Sequence, residues 1–124
     1  MRDNNFRDFI SKTKKEYKNI GYIKCPAFRN ENIYFNRHGF NHLIRKERKL
    51  RDRKEQIRRL GLLLQVKSIL STSTKFSTYY ISNKDTNSNI LVSFWSFIRK
   101  DNNRKITIIV RQIGSGNKHF FSVF

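Results

Sequence analysis

Apolar positions along this chain follow two different periods. Up to about residue 70 they recur at helical spacing; from residue 76 they crowd into short runs rich in β-branched and aromatic residues. Residues 3–19 read as an amphipathic helix, with Phe6, Phe9, Ile10 and Tyr17 on one side and Gly21 as its stop. "YIKCPAF" (22–28) is extended, because Pro26 restricts Cys25 to β or polyproline geometry. "NIYF" (32–35) fits a short strand or an extended lead-in. From Phe40 to Leu70 there is no Pro and a single Gly, at 61, so this region is expected to be helical. Leu43, Leu50, Ile57 and Leu64 recur every seven residues, and Leu60 and Leu63 thicken the stripe. One long helix would fit. Two helices broken near Arg51–Asp52 fit better, since the stripe is thin before Ile57 and broad after it. Asp52 would cap the second, with Glu55 three residues on as in a capping box.

Beyond "STSTK" (71–75) the runs "FSTYYIS" (76–82), "ILVSFWSFIR" (90–99), "KITIIVRQI" (105–113) and "KHFFSVF" (118–124) read as strands. "NKDTNSN", "KDNNR" and "GSGN" between them are turn compositions. The expected fold is α+β: N-terminal helices packed on one face of a four-stranded antiparallel sheet. Residues 1–124 would form one domain, with a helix and extended lead-in over 1–30, a basic helical region over 38–70 and the sheet over 76–124.

Charge changes the picture most. The 124 residues carry 27 Lys plus Arg against 9 Asp plus Glu, a formal net charge of +18. Such an excess repels itself and favours a polyanionic partner. Nucleic acid comes first, because phosphate neutralisation rewards clustered Lys and Arg; an anionic membrane surface comes second. Inflated Lys and Asn alone would fit an AT-rich coding bias, but the Arg-rich run 45–59 would not. Eleven Phe, five Tyr and one Trp exclude a disordered basic tail. The lone Cys25 can form no disulfide within the chain and is expected as a small buried apolar residue in a reducing interior. No apolar run approaches the roughly 18 residues of a membrane span. The first residues lack a signal-peptide apolar segment, so the expected site of action is cytoplasmic.

RNA can be cut without metal when the ribose 2′-hydroxyl attacks the adjacent phosphorus and leaves a cyclic phosphate. That chemistry needs a general base, a general acid and cations around the phosphorane oxygens. In "HGFNHLIRKERK" (38–49), His42 on a helix would share a face with Arg45 and Lys46, with Lys49 a further turn on. Those cations would hold the imidazole neutral and bind phosphate. The same spacing also fits a solvated charged helix face. His38 and His42 have zinc-ligand spacing but no third ligand, so neither a metal nor another cofactor is expected. A second candidate set is Arg111, Lys118, His119 and Ser122 on the closing hairpin. Strict alternation would put His119, Phe121 and Val123 on one face and Lys118, Phe120 and Ser122 on the other. "GSG" is read as a turn, not a phosphate loop. Of Tyr79, Tyr80, Phe94, Trp95 and Phe97, most are expected in the core and one or two against unpaired bases.

The ordered set "CPAF", "IYFNRHGFNHLIRK", "RRLGLL" and "KITIIVRQIGSGNKHFFSVF" resembles phage-type members of the barnase–EndoU–colicin–RelE (BECR) nuclease superfamily, over most of residues 22–124. The resemblance implies metal-independent RNA cleavage at a site on the sheet face near the helix histidine. It implies that relatives act as toxins, some of them on tRNA. His42 then corresponds to the helix histidine, Lys46 to the basic residue after it, Arg111 to the polar position of the penultimate strand and Ser122 to the last-strand hydroxyl. His119 joins them as a proton-donor candidate, and Arg45, Lys49, Arg53 and Lys118 as phosphate contacts. The expected function is an endoribonuclease toxin or mobile-element nuclease, with RNA as substrate and an acidic antitoxin or immunity protein as partner. The competing readings are a non-catalytic RNA- or DNA-binding domain and a membrane-surface module. The absence of a large spare apolar face argues against the last.

Overall fold

The computed structural model of the chain describes residues 2–82 and 90–124. Helix α1 (Asp3–Ile20) ends at Gly21, whose φ of 66° lies where a side chain would be strained. Strand β1 (Tyr22–Cys25) follows, then a single 3₁₀ turn at Pro26–Phe28 and strand β2 (Glu31–Tyr34). Helix α2 (Arg37–Ile44) is capped by the Asn36 side chain, which accepts from the Gly39 amide. A short hairpin, β3 (Arg45–Lys46) and β4 (Lys49–Leu50), leads to α3 (Arg53–Gly61) and α4 (Leu63–Thr72). The remainder is β5 (Thr78–Ser82), β6 (Val92–Asp101), β7 (Arg104–Ile113) and β8 (Lys118–Val123).

The α+β class holds, but the sheet is not the expected four-stranded antiparallel one. It has six strands in the order β1-β2-β8-β7-β6-β5 and is mixed. The four C-terminal strands form the expected antiparallel meander. The β1–β2 hairpin extends it because β2 pairs parallel with β8. The extended reading of 22–28 holds over Tyr22–Cys25 and a short strand forms at Glu31–Tyr34, but two four-residue strands do not announce which sheet they join; tertiary pairing decides it. The turn expected at "NKDTNSN" lies outside the described residues.

The basic region departs further. A helix continuing past Ile44 would set Arg45 against Arg48 and Lys49, and Lys46 against Lys49, at like-charge i,i+3 and i,i+4 spacings. It would bury no apolar stripe. The chain instead turns back, and the Arg51 amide bonds to the Ile44 carbonyl. The second helix starts where the pattern put it, just after Asp52, but the first already ends at Ile44. Asp52 caps α3 by accepting from the Glu55 amide, although the Glu55 side chain engages Arg58 and Arg59 and does not complete a capping box. The seven-residue recurrence does not mark the core: Leu43 is buried, while Leu50 and Leu64 face solvent. Leu60, Leu62, Leu63, Val66, Ile69 and Leu70 supply the apolar face of α3 and α4.

The core lies between the helices and one face of the sheet. Phe97, Ile108, Val110, Phe120 and Val123 point into it from the strands. Tyr17 joins α1 to this layer. Its ring packs against Phe35, Phe40 and Phe120, and its hydroxyl donates to the Asn36 carbonyl at 2.6 Å. Cys25 is fully buried, as expected. Among the described residues no helix is long and apolar enough to cross a membrane.

Candidate functional site

Three local features bring the candidate residues together on the face of the sheet opposite the core. The first is where β2 stops. It pairs with β8 only at Ile33↔Lys118 and Tyr34↔His119, and α2 then takes its place beside β8. The second is Gly39. A Cβ there would collide with the Tyr17 hydroxyl and the Phe120 carbonyl, so only glycine lets α2 come this close. His42, one turn from Gly39, is thereby set against Phe121 with ring centroids 4.6 Å apart.

The third feature is a bulge in β8. Val110 pairs with Phe120 and Ile109 with Ser122, so Phe121 is the extra residue. The bulge inverts the alternation beyond it. Phe120 and Val123 both face the core, while His119 and Ser122 both sit opposite positions on the other face, Arg111 and Ile109. The expectation that His119 and Ser122 would lie on opposite faces is corrected by this one inserted residue.

On that face Arg111 Nε donates to His119 Nε2 at 2.9 Å, and the Arg111 guanidinium carbon lies 4.4 Å from the centre of the Phe121 ring. Arg51 Nε donates to the His42 carbonyl at 3.1 Å, and another Arg51 nitrogen stands 3.5 Å from His42 Nδ1. Arg59 donates to Ser122 Oγ at 3.3 Å and to the Val123 carbonyl at 3.1 Å. Glu55 holds Arg59 from behind at 2.8 Å and pairs with Arg58 as well; these hydrogen bonds pull the Glu55 carboxyl down to about 2. An open cleft of about 420 Å³ lies over the cluster, with His38, Asn41, His42, Arg45, Arg111 and Phe121 in its walls.

The electrostatics follow from burial among cations. Burial lowers the His42 pKa first, and Arg51, Arg59 and Arg111 lower it further, so the imidazole is neutral at pH 7. Burial followed by the Arg111 charge brings His119 down to about 4. The His119 ring is therefore also neutral, with its Nε2 lone pair engaged by Arg111.

The expected residues divide into two groups. His42 and Arg111 line the cleft and Arg45 reaches its mouth; His119 and Ser122 lie on the same face of the sheet but are buried, bonded to Arg111 and Arg59. Lys46 and Lys49 are exposed on the β3–β4 hairpin, not one helical turn from His42, because α2 has already ended. Arg53 turns to α1, where it pairs with Asp3 and covers the Phe6 ring. Lys118 points to the helix-covered face, bonded to Glu31 at 2.8 Å and lying over the rings of Phe28 and Trp95. The cations that crowd His42 are Arg51 and Arg59, which spacing did not single out. Arg59 had one signal: it immediately precedes Leu60, the first buried leucine of α3, so it had to lie at the edge of the packed face. Phe121 had none, because a bulge cannot be read from a strand's own residues.

The fold and the cleft define an α+β protein whose open sheet face gathers imidazole and guanidinium groups. Comparison with family models, curated proteins and solved structures returned no match for this chain. Among the described residues no group of three or more His, Cys, Asp or Glu is placed to hold a metal ion.

Proposed function

We propose that the chain is a metal-independent endoribonuclease of the phage-type BECR kind, acting as a toxin or mobile-element nuclease. The observation that carries this reading is the His42 ring, half-buried against Phe121, held neutral, and sharing an open face with Arg111. A neutral imidazole accepts a proton, and fixed guanidinium groups stabilise a dianionic phosphorane. In the reaction, His42 takes the proton of a ribose 2′-hydroxyl as its oxygen attacks phosphorus. Arg111 and Arg45 hold the phosphate oxygens. The bond to the 5′ oxygen breaks, leaving a 2′,3′-cyclic phosphate on one product and a 5′-hydroxyl on the other, the departing oxygen taking its proton from water in the open cleft. In this reading His119 aims Arg111 and does not donate a proton, because it is already neutral and its Nε2 accepts from Arg111. Ser122 anchors Arg59 in the same way.

RNA is the substrate, with tRNA one candidate, and an acidic immunity protein is the partner whose charge would complement the cleft. The test is incubation with mixed RNA in EDTA, followed by analysis of the ends. Cyclic phosphate ends that fall about 10²–10⁴-fold in His42→Ala, with RNA affinity retained, support the reading. A His42→Ala protein that cuts as fast as the parent overturns it. RNA that is bound but left intact favours the second reading, a non-catalytic RNA-binding domain. That alternative is favoured by the exposed basic hairpin at 45–50, whose charges suit a phosphate backbone without any chemistry.

A further inference from the structure

Beside the cleft, the sheet carries large aromatic side chains on the face opposite the core. Phe94 is the direct register partner of Arg111, and Tyr80 is the register partner of Phe94. Strand alternation separates them from Tyr79 and Trp95, which belong to the other face, where Trp95 is buried. The Tyr80 and Phe94 rings lie nearly parallel, 12° apart, with centroids 4.8 Å apart. Phe94 meets Phe121 edge-on at 5.7 Å, and Phe121 in turn carries both the Arg111 guanidinium and the His42 ring. A continuous row of π surfaces thus runs from the proposed scissile position out to β5, and Tyr80 at its outer end is 56% exposed.

Tyr80 packs on Phe94 as a cross-strand pair, yet more than half of its surface stays open beside the cleft. A row of aromatic rings contiguous with a charged cleft is a candidate contact surface. The neighbouring charge selects the occupant. A hydrophobic protein surface or a lipid tail brings no charge to a face that gathers Arg45, Arg51 and Arg111 in a chain of net charge +18. A single-stranded nucleic acid supplies both parts, a phosphate for the cations and a π face for the rings. Arg111 and Tyr80 sit two strands apart, about 10 Å at ordinary sheet spacing, a gap that one nucleotide spans from phosphate to base. Paired bases are stacked within a duplex and cannot offer that face.

We propose that Tyr80 and Phe94 form a stacking subsite for an unpaired nucleobase flanking the phosphate bound at Arg111, which restricts the substrate to single-stranded or looped RNA. The orientation of the row assigns this role to an unpaired base and to no particular sequence, since every base has a π face. The inference rests on the reading of the cleft as an RNA site.

The test uses the whole chain and short 2′-O-methyl oligonucleotides, which cannot be cut through the 2′-oxygen, with 2-aminopurine placed at one position at a time. Binding to the parent is expected to quench the fluorescence at one position. Tyr80→Phe is expected to bind like the parent, because stacking needs the ring and not the hydroxyl. Tyr80→Leu keeps the bulk without the π system and is expected to lose the quench and about fivefold to a hundredfold in affinity. A duplex of the same sequence is expected to bind more weakly than the single strand. Parental affinity and quench in Tyr80→Leu, or equal binding of duplex and single strand, overturns the subsite. Cleavage of unmodified RNA by the parent, measured in parallel, separates the two proposals. Cleavage without a Tyr80 effect sinks the subsite and leaves the nuclease standing. A Tyr80 effect without cleavage sinks the nuclease and leaves the subsite standing.

Discussion

Arg111 and His119 face each other as register partners on β7 and β8, and Arg111 Nε donates to His119 Nε2 at 2.9 Å. The bond requires an unprotonated Nε2, and so couples the position of Arg111 to the charge of His119. The ring is expected to titrate at about 4, against an ordinary 6.5. In the unfolded chain His119 takes up its proton near the ordinary value, while in the folded chain it resists until pH 4. Between those values the unfolded state binds more protons, so this group's contribution to stability is complete above pH 6.5 and is lost as pH falls toward 4. Histidine NMR titration checks the value directly. Urea unfolding across the same window is expected to show a shallower loss of stability in His119→Gln than in the parent. A folded-state titration near 6.5 would contradict the arrangement.

Arg51 acts on His42 in two ways, fixing its carbonyl and adding positive charge beside its ring. Removing that charge makes the imidazolium less unfavourable. Arg51→Met is therefore expected to raise the His42 pKa toward its ordinary value and, on the proposed nuclease reading, to move the acid limb of the kcat/KM profile to higher pH. Lost positioning lowers the plateau as well, so the position of the limb is the diagnostic reading. A limb that stays in place or moves to lower pH would exclude His42 as the base whose titration sets it.

The meander was legible because β6, β7 and β8 are long, β-branched and separated by strong turn compositions. His42, Arg111, His119 and Ser122 were legible as residue types suited to the chemistry. Their common face was not. It depends on a bulge at Phe121, on β2 ending after two paired positions, and on a glycine that only matters once Phe120 is behind it. The cations were misplaced for a related reason. Helical spacing put Arg45, Lys46 and Lys49 around His42; Arg45 stays at the cleft, but the helix ends at Ile44, Lys46 and Lys49 move out onto the hairpin, and the chain doubles back to bring Arg51 and Arg59 there.

Arg58 and Arg59 are adjacent in sequence and both bind Glu55, yet they should respond differently to substitution. The Arg58 side chain is half exposed and has no further partner in the sheet among the bonds of the described residues; Arg59 is largely covered and ties α3 to Ser122 and Val123. Arg58→Ala is expected to change stability by no more than about 0.5 kcal/mol, as for an exposed ion pair. Arg59→Met is expected to cost about 1–3 kcal/mol, because it withdraws a charged donor from a buried hydroxyl and a carbonyl at the end of β8. Paired denaturant unfolding curves decide between them. Equal effects would mean that Arg59 does not anchor the last strand.

Gly39 offers a test in which two principles predict opposite signs. In a helix interior, alanine is better than glycine by about 1 kcal/mol, so Gly39→Ala would stabilise α2 if only the helix mattered. Its Cβ, however, would enter space held by the Tyr17 hydroxyl, the Phe120 carbonyl and the edge of the Phe120 ring. A backbone carbonyl within a sheet cannot step aside as the end of a flexible side chain can. Overpacking of this kind costs about 1–3 kcal/mol, and here it also pushes α2 off β8. The net expectation is destabilisation. In the variant that still folds, the Phe121 ring and the His42 ring should separate, with loss of ring-current shifts between them. On the proposed nuclease reading, RNA cleavage should then fall although neither residue has been changed. Stabilisation by Gly39→Ala would show that α2 lies farther from the last strand than described, and the close placement of His42 over the sheet would fail with it.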